Sequence, residues 1–320
     1  MREHGGDLDA AIREHGGAPG DWIDLSTGIN RVPWPMPDLP DAVVRALPTS
    51  ALVEDAMTAA RAAYSTDAPG LTLAGAQAAI QMVPWLRQRG VARVLSPTYN
   101  EHAGALRAAG WTVEEPERLA DLAGADVAVV VNPNNPDGQR HRPEALLALA
   151  DRVGLLVVDE SFADPEPDLS ILTHMPADGV LVMRSFGKFY GLAGLRLGFA
   201  FGAPADIATI RALAGPWAVS GPALQVGALA LRDVAWRQQA VQRLSEGAAH
   251  LDDLAVGAGW QVIGGTTQFR LYKTGDGIAA RRRLACHRIW SRAFEAHPEW
   301  LRLGLPGEPA EWDRLEAALR

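Results

Sequence analysis

Residues 185–198 read SFGKFYGLAGLRLG, with Lys188 between Ser185 and Arg196 and glycines at 187, 191, 194 and 198. A lysine in this company can form a Schiff base with an aldehyde while its neighbours hold a phosphate. A serine hydroxyl and a guanidinium fork both donate to phosphate oxygens, and glycine lets backbone close on a ligand. Taken alone, the segment also suits a surface loop with a solvated lysine.

Four earlier segments carry matching chemistry. AGAQ at 74–77 opens a helix after GLTL, so the N–H groups of Gly75 and Ala76 can face an anion. An ordinary helix start reads the same way. In SPTYNEH at 96–102, Tyr99 follows a strand and a proline. Its ring could stack on a flat ligand or pack at the strand end. NPNNPDG at 132–138 makes a rigid turn after an apolar run. That turn aims the Asn135 amide at the strand ends, where it can hydrogen-bond a phenolic oxygen. Asp159 closes GLLVVD and Glu160 follows it. A carboxylate ending an apolar strand needs a partner: a protonated ring nitrogen, an arginine, or a helix start to cap. The order Gly/Ala loop, Tyr, Asn, Asp, Lys, Arg is far more specific than any one member.

The elements that must position these residues alternate. Ala92–Ser96, Val127–Val131, Gly154–Asp159, Val180–Met183 and Leu195–Gly202 read as strands, with helices near 101–109 and 143–152. The apolar run 127–131 suits a strand buried on both faces. This alternation predicts an α/β fold with a mostly parallel sheet and helices on both faces, which places ligands at the carboxyl ends of its strands. Residues 206–256 have a helical pattern. Segments 259–263, 267–272 and 300–304 read as strands of a smaller α+β domain, and 277–295 and 309–320 as helices. The expected division is an N-terminal arm over 1–40 that joins the small domain, a large domain over 41–220, and a small C-terminal domain over 221–320.

Composition narrows the class. The 320 residues are 48% hydrophobic and 21% charged, with a net charge of −8. An acidic balance argues against a nucleic-acid partner but leaves room for a small anionic substrate held by local arginines. The single cysteine, Cys286, excludes an internal disulfide and reads as a small buried apolar residue. No segment has the apolar length of a membrane span or the core of a signal peptide, so a cytoplasmic protein without a membrane partner is expected. The eight histidines show no metal-ligand spacing, and no metal is expected.

The ordered series resembles the fold-type-I pyridoxal-phosphate enzymes, the aspartate aminotransferase-like superfamily, across nearly the whole chain. The resemblance implies pyridoxal 5'-phosphate as cofactor, joined to Lys188. Asp159 would pair with the pyridine nitrogen, Tyr99 would stack on the ring, and Asn135 would bond its phenolic oxygen. Ser185, Arg196 and the backbone of Gly75 and Ala76 would hold the phosphate. Arg302 in WLRLGLP matches the arginine that clamps a substrate carboxylate. Within the superfamily, HGGD at 4–7, DLSTGIN at 24–30 and DESFAD at 159–164 resemble the threonine-phosphate decarboxylases. That group implies decarboxylation of O-phospho-L-threonine to (R)-1-amino-2-propanol O-2-phosphate in cobalamin biosynthesis. The alternative is an aminotransferase acting on histidinol phosphate or an aromatic amino acid. A non-catalytic, cofactor-binding regulator is a remote third reading; it would need a basic DNA-binding domain ahead of the fold, and residues 1–30 are not basic.

A phosphorylated substrate needs a second anion site. His4, the backbone of Gly5 and Gly6, Asn30 and Arg292 are the candidates, with Arg270 as a further contact and His15 as a turn residue. A homodimer is expected by resemblance. Two positions depart from the superfamily pattern. Phe162 stands where many members carry a tyrosine that bonds the phenolic oxygen, and Leu47 precedes Pro48 where many carry a tyrosine that reaches the partner's cofactor phosphate.

Overall fold

The structure, a computed structural model, describes residues 4–320. The chain divides into two compact units. The larger comprises residues 34–135 and 140–235. The smaller comprises residues up to Pro33, 136–139 and 236–320.

The larger unit is built on a seven-stranded sheet. Its strands run, edge to edge, Gly70–Leu73, Gly198–Gly202, Val180–Ser185, Leu156–Asp159, Val127–Val131, Val91–Val94 and Thr112–Glu114. The last five are parallel to one another. Gly198–Gly202 is antiparallel to both of its neighbours. Every residue of Val127–Val131 and Leu156–Asp159 is buried, as the unbroken apolar runs require. On one face Val127, Val129, Val157, Leu181 and Met183 share a core with Ile80, Leu106 and Ile207. Each such side chain contributes about 1.5–3 kcal/mol on full burial.

Helix Gly221–Arg232 packs on Ser50–Ala63 and belongs to this unit, beyond the limit of 220 expected from the sequence. Trp34 also lies in it, with its indole N–H donating to Asp233 at 3.0 Å.

The smaller unit carries a four-stranded antiparallel sheet ordered Arg292–Phe294, His297–Gly304, Phe269–Lys273 and Gln261–Gly265. A parallel pair, Ile23–Asp24 with Ile289–Trp290, ties the arm to the C-terminal part of the unit. The sequence predicts one helix over 277–295. The helix stops at Cys286 instead, and Arg288 turns the backbone at φ 58°. The apolar pair Ile289 and Trp290 then leaves the helical path to pair with the arm and is buried there. Arg292 consequently stands on a strand, not on a helix. Cys286, at that helix end, is exposed where burial was expected. Among the described residues, no helix is long and apolar enough to cross a membrane.

Candidate active site

Four adjacent parallel strands deliver the sequence-singled residues in spatial order. Ser185 ends Val180–Ser185, and Lys188 lies in the short helix Phe186–Phe189 that follows. Asp159 ends the next strand, paired with Met183 on one side and Val131 on the other. The turn carrying Asn135 leaves Val131, and the Asn132 N–H donates to the Asp159 carbonyl at 2.9 Å. Tyr99 follows Val91–Val94, the strand beyond. All of these positions sit at or just past carboxyl strand ends, where an open α/β sheet binds its ligands.

Asp159 is buried in the floor of this group. Its Oδ1 accepts the Ser161 N–H at 3.0 Å, and Oδ2 lies 2.9 Å from His102 Nε2. Burial pushes the carboxyl up. The His102 hydrogen bond and charge, the Lys188 charge and the Ser161 N–H outweigh it and bring the pKa down to about 2. A carboxylate held ionised cannot donate, so the His102 ring is the donor. The partner the sequence left open between a ring nitrogen, an arginine and a helix cap is, within the protein, a histidine. His102 itself is buried on the helix Glu101–Ala108. Sequence reasoning missed it. The one available signal is that it falls three residues after Tyr99, on the face that turns back toward the strand ends.

The glycine-rich segments converge. Ser185 and Gly198 are directly opposed across two antiparallel strands. A Cβ on Gly198 would lie 2.5 Å from the Ala76 nitrogen, so only glycine lets this strand start meet the start of helix Ala76–Met82. Gly75 adopts φ 78°, and a Cβ there would come within 2.8 Å of Arg196 Nη2. Arg196, itself at φ 54°, donates from Nη1 to the Ala193 carbonyl at 3.2 Å. Gly75, Ala76, Ser185 and Arg196 thus form one cluster, a cradle of donors with no carboxylate in it.

Lys188 Nζ stands 4.3 Å from the centroid of the buried Phe162 ring. Tyr99 donates its hydroxyl to Gln77 Oε1 at 3.2 Å and meets the His102 ring edge-on at 6.3 Å. Gln77 in turn donates to Glu101 at 2.9 Å. Asn135 is half-buried. The paired Asn134 is committed to the turn, accepting from Thr98 at 2.6 Å and donating to the Pro97 carbonyl at 2.9 Å. Behind the strand ends, Glu160 accepts from Ser170, the Ile171 N–H and Arg184, whose guanidinium also faces Asp164 and covers the Tyr64 ring at 4.1 Å. This buried ion cluster fastens the strand ending at Asp159 to the one leading to Lys188.

The remaining candidates lie in the smaller unit. Arg302 is buried and donates to the Ser26 carbonyl at 2.6 Å. That same carbonyl sits 2.2 Å from where a Cβ on Gly5 would fall, and Gly6 N–H donates to the Ser26 hydroxyl at 2.7 Å. Arg292 directly opposes Arg302 across the sheet and donates to the His4 carbonyl at 3.4 Å. His4, Gly5, Arg292 and Arg302 are therefore one neighbourhood. Two arginines directly opposite each other in an antiparallel pair repel, an arrangement that suits an anion. Asn30 is buried and accepts from the Val32 N–H and from Arg243. Arg270 is not an open anion contact: both ends of its guanidinium fork pair with Asp252 at 2.9 and 2.6 Å. His15 is in the last turn of helix Leu8–His15, edge-on to Trp290 at 6.2 Å, and not in a turn.

A fold of this topology, with a lysine and an ionised aspartate at neighbouring strand ends and a glycine-lined cradle of donors, defines a recognisable class. The model of the family described as aminotransferase class I and II matches residues 46–319, and the chain belongs to that family. Threonine-phosphate decarboxylase of Pseudomonas aeruginosa is 43% identical, across 100% of this chain and 97% of its own. Threonine-phosphate decarboxylase of a Sinorhizobium species is 42% identical, across 99% and 97%. Among solved structures, histidinol-phosphate aminotransferase of Sinorhizobium meliloti, in complex with pyridoxal-5'-phosphate, matches with a TM-score of 0.82 at 19% identity, covering 97% of this chain and 92% of that one.

Proposed function

We propose that the protein is a pyridoxal-phosphate-dependent carboxy-lyase that converts O-phospho-L-threonine to (R)-1-amino-2-propanol O-2-phosphate and carbon dioxide, a step of cobalamin biosynthesis. Likeness to two threonine-phosphate decarboxylases over essentially the full chain supports the substrate. The observation that carries the cofactor is the buried Asp159, kept ionised one strand away from Lys188.

The residues fit the cofactor. Asp159, anionic at neutral pH, would keep a ring nitrogen protonated. Lys188 would hold the aldehyde carbon, Tyr99 would cover a ring face, and Asn135 would donate to the phenolic oxygen. Ser185, Arg196 and the N–H groups of Gly75 and Ala76 would take the phosphate, in a cradle that a Cβ on Gly75 would fill. Bound there, the cofactor supplies an electron sink for the pair left on the substrate Cα. With Phe162 in place of a hydroxyl, that side of the site offers an aromatic face to the lysine instead of a hydrogen bond.

Arg302 would take the substrate carboxylate, and His4, the Gly5 N–H, Asn30 and Arg292 its phosphate. The bond from Cα to the carboxylate breaks, carbon dioxide leaves, and Lys188 delivers the proton that Cα needs. A homodimer belongs to the same reading. Val44, Leu47 and Trp217 expose apolar side chains, and Trp217 lines a cavity of about 740 Å³ with Pro48, Val53 and Met57, a surface that a second copy would cover. The protein acts in the cytoplasm, without nucleic acid or membrane.

The test is carbon dioxide release from O-phospho-L-threonine by the loaded enzyme with no keto acid present. Product that forms only with a keto-acid acceptor makes the protein an aminotransferase and overturns the reading. A Lys188→Ala protein that keeps the visible absorption of lysine-bound cofactor overturns the site.

A further inference from the structure

The smaller unit contains a cavity that the chemistry above touches only through Asn30. It holds about 450 Å³ and is walled by Leu244, His250, Leu305, Pro306, Pro309 and Trp312. That size lies within the range of small-molecule sites. The His250 and Trp312 rings lie 5.0 Å apart, inclined at 48°. With the two prolines they offer a surface for a flat apolar body.

Arg243 supplies the charge. Its guanidinium has five N–H donors, yet its contacts are two long ones from Nη2, to Asn30 Oδ1 and to the Val32 carbonyl, each at 3.4 Å. Among the described residues no carboxylate pairs with it, and burial alone holds its pKa below the ordinary value. A partly desolvated cation without a counter-ion is an unfavourable arrangement that an incoming anion relieves. Glu246 and Asp313 also line the cavity, and Glu246 accepts from Gln242 at 2.9 Å. Two carboxylates nearby disfavour a doubly charged phosphate more than a single carboxylate.

We propose that this cavity binds a small aromatic monocarboxylate, its carboxylate on Arg243 and its ring against Trp312 and His250. Asn30 and Val32 share that guanidinium, so an occupant competes with the arm for it. Binding is thereby linked to the segment that carries Asn30.

The test is calorimetric titration of the full-length, cofactor-loaded protein with phenylpropionate, phenethylamine and inorganic phosphate. Phenylpropionate has no amino group and so cannot take the place of Lys188. Saturable binding of phenylpropionate is expected, tighter than that of either other probe. Arg243→Gln should weaken it by about tenfold or more, the usual worth of a charge-assisted hydrogen bond. Gly247→Val should weaken it similarly, because a Cβ there already lies 2.9 Å from Leu305 Cδ2 and 3.4 Å from the Trp312 ring and fills the space. Arg302→Gln should leave it within about twofold, since Arg302 does not line the cavity and its guanidinium donates to the Ser26 carbonyl. If Arg243→Gln does not fold, the other two variants decide. Undiminished binding in Arg243→Gln or in Gly247→Val, loss in Arg302→Gln, tighter binding of the amine or of phosphate, or no saturable binding each overturns the proposal.

Discussion

Replacing His102 with leucine isolates the group that keeps Asp159 ionised. The aspartate's native pKa of about 2, against an ordinary value of 3.8, means its charged form is favoured by folding. At about 1.4 kcal/mol per unit, that difference contributes about 2–3 kcal/mol at neutral pH. The sign follows from the depressed pKa. The contribution is fully present above the unfolded value near 4 and is lost as pH falls toward 2. His102→Leu leaves a shape-filling apolar side chain but no donor, so burial is opposed only by Ser161 and Lys188 and the carboxyl rises. The cofactor-free variant should therefore unfold about 2 kcal/mol more easily at pH 7, a shift of about 1 M in urea midpoint for a slope of about 2 kcal/mol per M. The deficit should shrink as pH is lowered from 4 toward 3. His102→Asn can still donate a hydrogen bond and should recover part of it. A His102→Leu protein with an unchanged midpoint at pH 7, or a deficit that grows on acidification, refutes the argument that this hydrogen bond holds the carboxylate.

Three further outcomes are expected. Gly75→Ala puts a methyl 2.8 Å from the Arg196 guanidinium in a left-handed backbone conformation, so cofactor affinity, titrated by absorbance, should fall by about tenfold or more while the cofactor-free protein loses about 1 kcal/mol. Arg302→Gln removes one charge-assisted contact, and steady-state kinetics with O-phospho-L-threonine should show kcat/KM lowered by about 10- to 100-fold. Arg184→Met leaves Glu160 and Asp164 buried without their cation, and denaturant unfolding should register a loss of about 3–5 kcal/mol.

The central sheet is legible in the sequence because its strands are buried on both faces. An unbroken run such as Val127–Val131 permits no other reading once punctuated by a Pro-Asn turn. Asp159 is legible because a carboxylate closing such a run is costly. Its partner is not, since His102 reaches it from a helix 57 positions away in the chain and looks like an ordinary core residue there. The overextended helix at 277–295 has the same origin. Its Ala, Leu and Arg content favours a helix, and what ends it is a pairing of Ile289 with Ile23 that no local pattern encodes. Arg270 reads from sequence as a further anion contact, because its partner Asp252 lies on another element.

The antiparallel strand Gly198–Gly202 has a consequence for synthesis. Gly70–Leu73 sits at the sheet edge with that strand as its only neighbour among the described residues. During translation residues 70–73 therefore wait, unpaired and apolar, until the ribosome has released the chain past 202. The donors on Gly75 and Ala76 meet Arg196 only then. On the proposed site, a nascent chain short of that point can lay down its parallel strands but has nowhere to seat a phosphate, which would make loading with the cofactor a late event in the life of each new molecule.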